Sequence, residues 1–131
     1  MTMLPVTLCA AAAAALINFW LAMRIGGVRR AEKISIGDGG HDLLGRRMRA
    51  QLNFAENVPL VLILIAAIEI SGRGGQWLAV VSAIFMLGRV AHGIGMDGKG
   101  FQAGRGIGTA TTMIALLGLS IYAILIALSM I

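Results

Sequence analysis

The chain has 131 residues, of which 58% are hydrophobic and 13% charged, with a mean hydropathy of +0.86. Soluble domains average roughly 45–50% apolar and about 25% charged residues, which excludes an ordinary water-soluble globule, a coiled coil, a disordered chain and a disulfide-stapled secreted domain. The net charge of +5, from 11 Lys and Arg against 6 Asp and Glu, would suggest a nucleic-acid partner in a polar chain; here it marks membrane orientation instead.

The predicted fold is all-α: one domain over residues 1–131, an integral membrane bundle with helices at about 4–24, 42–70, 76–96 and 104–131. Each segment is long enough, or nearly so, to cross about 30 Å of hydrocarbon. No alternating ten-residue segments with turn signals occur, so a barrel is excluded. The alanine-rich start resembles a signal peptide but lacks a basic leading region. Its apolar run continues through Leu16, Ile17, Phe19 and Leu21, and it reads as a retained first membrane helix. The one cysteine, Cys9, reads as a small buried residue; alone it forms neither an intrachain disulfide nor a thiolate metal cluster. Asp42 is placed to cap the second helix, and Glu69 reads as an interfacial carboxylate at that helix's far end.

The third helix ends in FMLGRVAHG, where Phe85, Arg89, His92 and Met96 share a face. Arg89 lies deep enough to need a partner, for which Glu56 is the natural candidate. His92 reads either as a proton shuttle or, more commonly for such a residue, as a hydrogen-bonded packing histidine. With only His41 and His92 and no matching carboxylate spacing, no metal site is expected. No strand precedes Gly93-Ile94-Gly95, so the nucleotide reading fails. In the fourth helix Gly104, Gly108 and Thr112 recur every four residues, a spacing that suits close helix contact in a bilayer. Arg105 reads as a membrane-surface anchor or as a group able to stabilise an anion.

Basic residues set the topology. Arg24, Arg29, Arg30, Lys33, Arg46, Arg47 and Arg49 surround the first connection, Arg73 alone lies in the second, and Arg89, Lys99 and Arg105 flank the third. The first and third connections are therefore expected to be cytoplasmic and both termini on the other side. Trp20 and Trp77 are expected near helix ends, at the interface.

The stretch most informative about chemistry is Arg46 to Pro59, RRMRAQLNFAENVP. On a helix, Arg46, Arg49, Asn53 and Glu56 fall within a sector of about 80°, while Arg47 and Gln51 point elsewhere. Ionisable groups at membrane depth face partners or a cavity. This row reads equally as an anion-binding face, since paired guanidiniums match carboxylates geometrically, and as a structural ion-pair network.

Arg46-x-x-Arg49-Ala50-x-x-Asn53-x-x-Glu56-x-x-Pro59 resembles the signature of the MAPEG family, the membrane-associated proteins in eicosanoid and glutathione metabolism. The likeness extends over the whole chain, through the basic first loop, the Arg-x-x-His of helix three and the arginine opening helix four. It implies a homotrimer that binds glutathione as co-substrate between subunits near the cytoplasmic face, without a metal. By the same resemblance Arg29, Arg49, Gln51, Asn53, Glu56, Arg89 and His92 are candidate glutathione-binding positions. Arg105 is the candidate catalytic residue, matching the arginine that activates the thiol in the leukotriene-forming synthases. A free thiol has a pKa near about 8.5, and a nearby guanidinium favours its thiolate.

Gly45, Asn57, Val90 and Ile94 replace an acidic residue and tyrosines of other members, so the resemblance points to a bacterial, microsomal-glutathione-transferase-like member rather than an eicosanoid synthase. The expected function is glutathione transfer to, or reduction of, lipophilic electrophiles: a detoxification activity in the inner membrane. Expected partners are a second and third copy, membrane lipids and a lipophilic small molecule, with no nucleic acid. The alternative is a non-catalytic lipid- or ligand-binding member. A transporter subunit is weaker, because no inverted repeat or broken helix is visible.

Overall fold

In hydrocarbon a chain must satisfy its backbone polar groups internally, and four apolar segments do so here as helices. A computed structural model describes residues 3–131. It contains α1 (Pro5–Glu32), α2 (Asp42–Ile70), α3 (Gln76–Gly95) and α4 (Ala103–Ala127), running up and down. All four are long and apolar enough to cross a membrane.

Four local expectations are corrected. Helix α1 continues to Glu32 instead of ending near residue 24, because Ile25 and Val28 are buried against Leu44 and that contact outweighs the Gly26-Gly27 pair. It stops at Lys33, which adopts the left-handed conformation at φ 55° and bonds back to Arg29. With α1 this long, Trp20 lies within the helix, stacked on Arg24 at 4.7 Å, and not at a helix end. Asp42 is not the cap of α2. His41 is: its Nδ1 accepts the Leu44 N–H at 3.3 Å, while Asp42 pairs with Arg46 one turn on. At the other end of the chain, α4 closes at Ala127.

The core is a stripe along α2 of Phe54, Val58, Val61, Ile65 and Ile68. It meets Leu78 and Phe85 of α3, Ala115 and Leu119 of α4, and Ala10, Ala14 and Leu21 of α1. Large apolar side chains such as Leu16, Leu87 and Ile114 cover the outside as well. A surface as apolar as the interior fits a hydrocarbon solvent. Cys9 belongs to this outer surface; it is exposed, not buried as expected, because α1 turns Ala10 and Ala14 inward instead.

Helices α3 and α4 approach most closely. A β-carbon on Gly104 would lie 2.2 Å from the Ala91 carbonyl oxygen, one on Gly108 2.3 Å from the His92 Cβ, and one on Gly95 2.2 Å from the Arg105 nitrogen. The spaced small residues thus serve close helix contact, as expected. Among the described residues α1 and α4 make no contact.

Each end of the bundle is closed by side chains. At one, Glu69 of α2 accepts from the Val6 and Thr7 N–H groups at 2.9 and 2.8 Å and from the Thr7 hydroxyl at 2.6 Å. It thereby caps α1, whose own N-cap residue, Leu4, has no side-chain acceptor. At the same end the Tyr122 hydroxyl donates to the Arg73 carbonyl at 3.2 Å, and its ring meets Trp77 edge-on.

The glycine contact gives a direct test. Gly108→Leu should destabilise the detergent-solubilised protein by about 1–3 kcal/mol or more, as overpacking does. Gly106→Ala, whose β-carbon meets nothing, should be neutral or stabilising. Equal thermal denaturation midpoints for Gly108→Leu and wild type would contradict the close approach.

Candidate functional site

Arg89 is the largest fully buried side chain, at 1% exposure. Its Nη2 donates to Asn53 Oδ1 of α2 at 2.7 Å and its Nη1 to Thr112 Oγ1 of α4 at 2.9 Å. The Thr112 hydroxyl in turn donates to the Gly108 carbonyl at 2.7 Å, leaving its lone pairs to the guanidinium. Phe54 lies under the cation at 5.9 Å. The partner expected for Arg89 was Glu56; the structure replaces it with Asn53 and Thr112. Glu56 points out of the protomer and is exposed, since α2 turns Ala50, Phe54 and Val58 inward.

His92, one turn further along α3, is buried at 3% exposure against the Gly108 crossing. Its Nδ1 has no hydrogen-bond partner among the described residues, and neither has Arg89 Nε. The expected hydrogen-bonded histidine is thus not found at Nδ1; close contact with α4 holds the ring.

A second cluster lies at the end of the bundle that carries the α1–α2 and α3–α4 connections. Asp97, just past α3, accepts from Arg24 of α1 through Oδ2. It also accepts from Arg47 of α2 through both oxygens at 3.1 Å. Arg24 donates further to the Gly93 carbonyl at 2.8 Å, and Arg47 to the Arg24 carbonyl at 3.2 Å. Three helices are therefore tied to one carboxylate. Burial opposes ionisation of Asp97, but the Arg47 hydrogen bonds and the Arg24 and Arg47 charges outweigh it, holding the carboxyl below the usual range.

Beside this cluster α1, α2 and the loop between them frame an open groove of about 1300 Å³. Four guanidinium-bearing residues line it (Arg29, Arg46, Arg49 and Arg105), with Gln51 and Asn18 on its walls and Asp38 and Asp42 on the loop side. Arg29 is partly committed to structure: its Nη1 donates to the Gly37 carbonyl at 2.8 Å, and its Nη2 reaches Met48 Sδ at 3.6 Å. Arg46 pairs with Asp42 at 2.8 Å. Arg49 and Arg105 are exposed, and neither has a side-chain hydrogen bond or ion pair among the described residues. Gln51 Nε2 donates to Asn18 Oδ1 at 3.3 Å across the α1–α2 seam. Gly45 leaves room for the loop; a β-carbon there would lie 3.2 Å from the Asp38 carboxylate.

The candidate residues thus fall into three places. Arg29, Arg49, Gln51 and Arg105 line one groove. Asn53, Arg89 and His92 stand in the interhelical core, and Glu56 faces outward from α2 beyond the groove lining. Arg49, Asn53 and Glu56 make no hydrogen bond with one another among the described residues, so the continuous polar row expected along α2 is divided between inside and outside. Sequence reasoning missed Asn18, Arg47 and Asp97. Asn18 was visible as a polar residue inside an apolar run, but nothing local marked Asp97.

Long apolar helices joined by buried polar clasps, with one end strongly basic, define an integral multi-pass membrane protein. The MAPEG family profile matches residues 7–125, and the chain belongs to the MAPEG family. No curated protein matches it.

Asp97 supplies a pH-dependent prediction. A carboxylate whose folded pKa is depressed adds stability above its unfolded pKa of about 3.9 and loses it as pH falls through the lower folded value. Asp97→Asn should therefore cost about 1–3 kcal/mol at neutral pH and flatten the stability loss seen on acidification below about pH 4. Thermal melts of both proteins across that range measure it, and parallel pH profiles would remove Asp97 from the clasp.

Proposed function

We propose that the protein is a glutathione-dependent transferase, with peroxidase capacity, acting on lipophilic electrophiles as a homotrimer in a bacterial inner membrane. The observation that carries this reading is the groove that brings Arg49 and Gln51 of α2 beside Arg105 of α4. Its lining holds four guanidiniums against two carboxylates, one of them already paired, which suits an anionic peptide. MAPEG membership adds the glutathione-related chemistry. The concentration of basic residues at the groove end supports a cytoplasmic groove and non-cytoplasmic termini.

In this reading Arg49 and Gln51 hold the peptide's carboxylates through charge-assisted and amide hydrogen bonds, and Asn18 fixes the Gln51 amide. Arg105 holds the sulfur as thiolate, lowering the free-energy cost of ionisation by about 1.4 kcal/mol for each pKa unit. The thiolate then attacks the electrophilic carbon of an acceptor that arrives through the bilayer, forming the C–S bond as the C–X bond breaks and a leaving group such as chloride departs to water, so the apolar acceptor never has to cross water. Glu56 is exposed on a membrane helix, where an unpaired carboxylate is costly. A neighbouring subunit's cationic group or the peptide's ammonium would satisfy it. Arg89 acts as a positioning residue: it clasps Asn53 and so sets the rotation of α2. His92, one turn from Arg89, is likewise a positioning residue, packed against the Gly108 crossing of α4.

A non-catalytic ligand-binding role is the second reading. It is favoured by the engagement of Asn53 Oδ1 with Arg89, which removes one acceptor from any ligand.

Purified protein should bind glutathione by calorimetry, show an ultraviolet thiolate band on adding it, and conjugate a chlorodinitrobenzene-type acceptor. Arg105→Ala should lower kcat/KM about tenfold or more, the equivalent of one pKa unit, and weaken the thiolate band. Arg49→Ala should mainly raise KM for glutathione. Binding without a thiolate band would favour the second reading, and full turnover in Arg105→Ala would remove Arg105 from the catalytic role.

A further inference from the structure

The end of the bundle opposite the arginine groove carries a different cavity. Between α3 and α4 lies an apolar groove of about 420 Å³, within the roughly 300–1,000 Å³ of ligand pockets. Its floor is Phe85 and Leu119, both buried, and Ile84 and Ile114 form exposed walls. Gly118 opens it: a β-carbon there would meet nothing within 4 Å. Trp77 and Tyr122 close its end as an edge-on aromatic pair with centroids 4.9 Å apart.

The hydroxyls on this surface are spoken for. Thr111 donates to the Gly108 carbonyl at 3.0 Å and Tyr122 to the Arg73 carbonyl at 3.2 Å. The groove therefore asks for hydrocarbon. A void in a membrane surface forfeits dispersion contacts on one side, and no hydrophobic driving force favours one apolar filler over another. Selection must come from shape and from the mouth. At the mouth stands Arg73, joined through its carbonyl to Tyr122. It is exposed, without an ion-pair partner, and the one basic side chain at this end among the described residues.

We infer that the α3–α4 groove binds an acyl chain of an anionic phospholipid, whose phosphate pairs with Arg73 beyond the Trp77–Tyr122 aromatic pair. Aromatic side chains of this kind lie at headgroup depth, and a guanidinium matches a phosphate in charge and fork geometry. A second copy of the chain fits less well. The carboxylate available at this end is Glu69, and it is engaged by the first turn of α1. The inference is independent of the thiol chemistry proposed above, because it uses neither the same residues nor the same end of the bundle.

Trp77 lines the groove and reports on it. In a Trp20→Phe background it is the sole tryptophan. The full-length protein is reconstituted in phosphatidylcholine vesicles containing equal fractions of either bromine-labelled phosphatidylglycerol or bromine-labelled phosphatidylcholine. Quenching of Trp77 should show a preference of roughly fivefold for the anionic lipid, the effect of one basic side chain near an anionic headgroup. Arg73→Gln should abolish the preference. Gly118→Leu, which fills the groove while leaving Arg73 in place, should abolish it too, with an unchanged melting temperature as the folding control. Equal quenching by the two lipids overturns the inference, as does a preference that survives either substitution. No quenching by either lipid would mean that protein, not lipid, covers the groove, and also overturns it.

Discussion

A guanidinium in the middle of a membrane protein dictates how its neighbours meet. Arg89 carries five donors and no acceptor, and burial to 1% exposure makes it depend on neighbouring helices for partners. Asn53 and Thr112 do so from two other helices, which locks α2 and α4 to α3 at one level. The lock works only because α4 comes close. Gly108 permits the approach and its carbonyl accepts the Thr112 proton, turning the hydroxyl's acceptor side toward Arg89. One consequence reaches the groove. With Asn53 drawn inward, α2 presents Arg49 and Glu56 on its outer surface, four residues before and three after Asn53.

The four helices were legible because hydrocarbon leaves so few alternatives. The α3–α4 glycines were legible too, since a four-residue repeat of small side chains has one strong use in a bilayer. Partner choice was harder to read. Glu56 seemed the partner for Arg89 because opposite charges attract, yet a neutral amide and a hydroxyl occupy that place. A neutral acceptor can satisfy a buried donor without a second charge having to be desolvated. Asp97 looked like one acidic residue in a glycine-rich turn; its role exists only where three helix ends converge. The extension of α1 past Gly26-Gly27 likewise depends on Ile25 and Val28 finding Leu44, a contact that local propensity does not encode.

The rare charges do two kinds of work, and exposure separates them. Asp97, Arg24, Arg47, Arg89 and Glu69 are engaged within the protomer and explain its packing. Arg49, Glu56 and Arg105 are exposed and have no such partner among the described residues. On a soluble protein that would mean only solvation. On a membrane helix an exposed carboxylate such as Glu56 costs free energy and calls for a partner outside the protomer, while Arg49 and Arg105, lining the open groove, present free guanidiniums to a ligand.

Helix α1 forms one wall of the groove, and its attachment is unusual. Among the described residues its backbone does not adjoin that of α4, and its buried face in the first half is built from Ala10 and Ala14, which interdigitate little. Its packing on α2 and α3 is reinforced by polar contacts at two levels. Glu69 caps its first turn with three hydrogen bonds, and Asp97 holds Arg24 near the other end. Between them stands the single amide bridge from Asn18 to Gln51. Two carboxylates, Glu69 on α2 and Asp97 just past α3, therefore help set where this wall stands, and with it the width of the groove. The arginine-lined end of that wall is held by the Asp97 clasp, which joins Arg24 of α1 to Arg47 of α2.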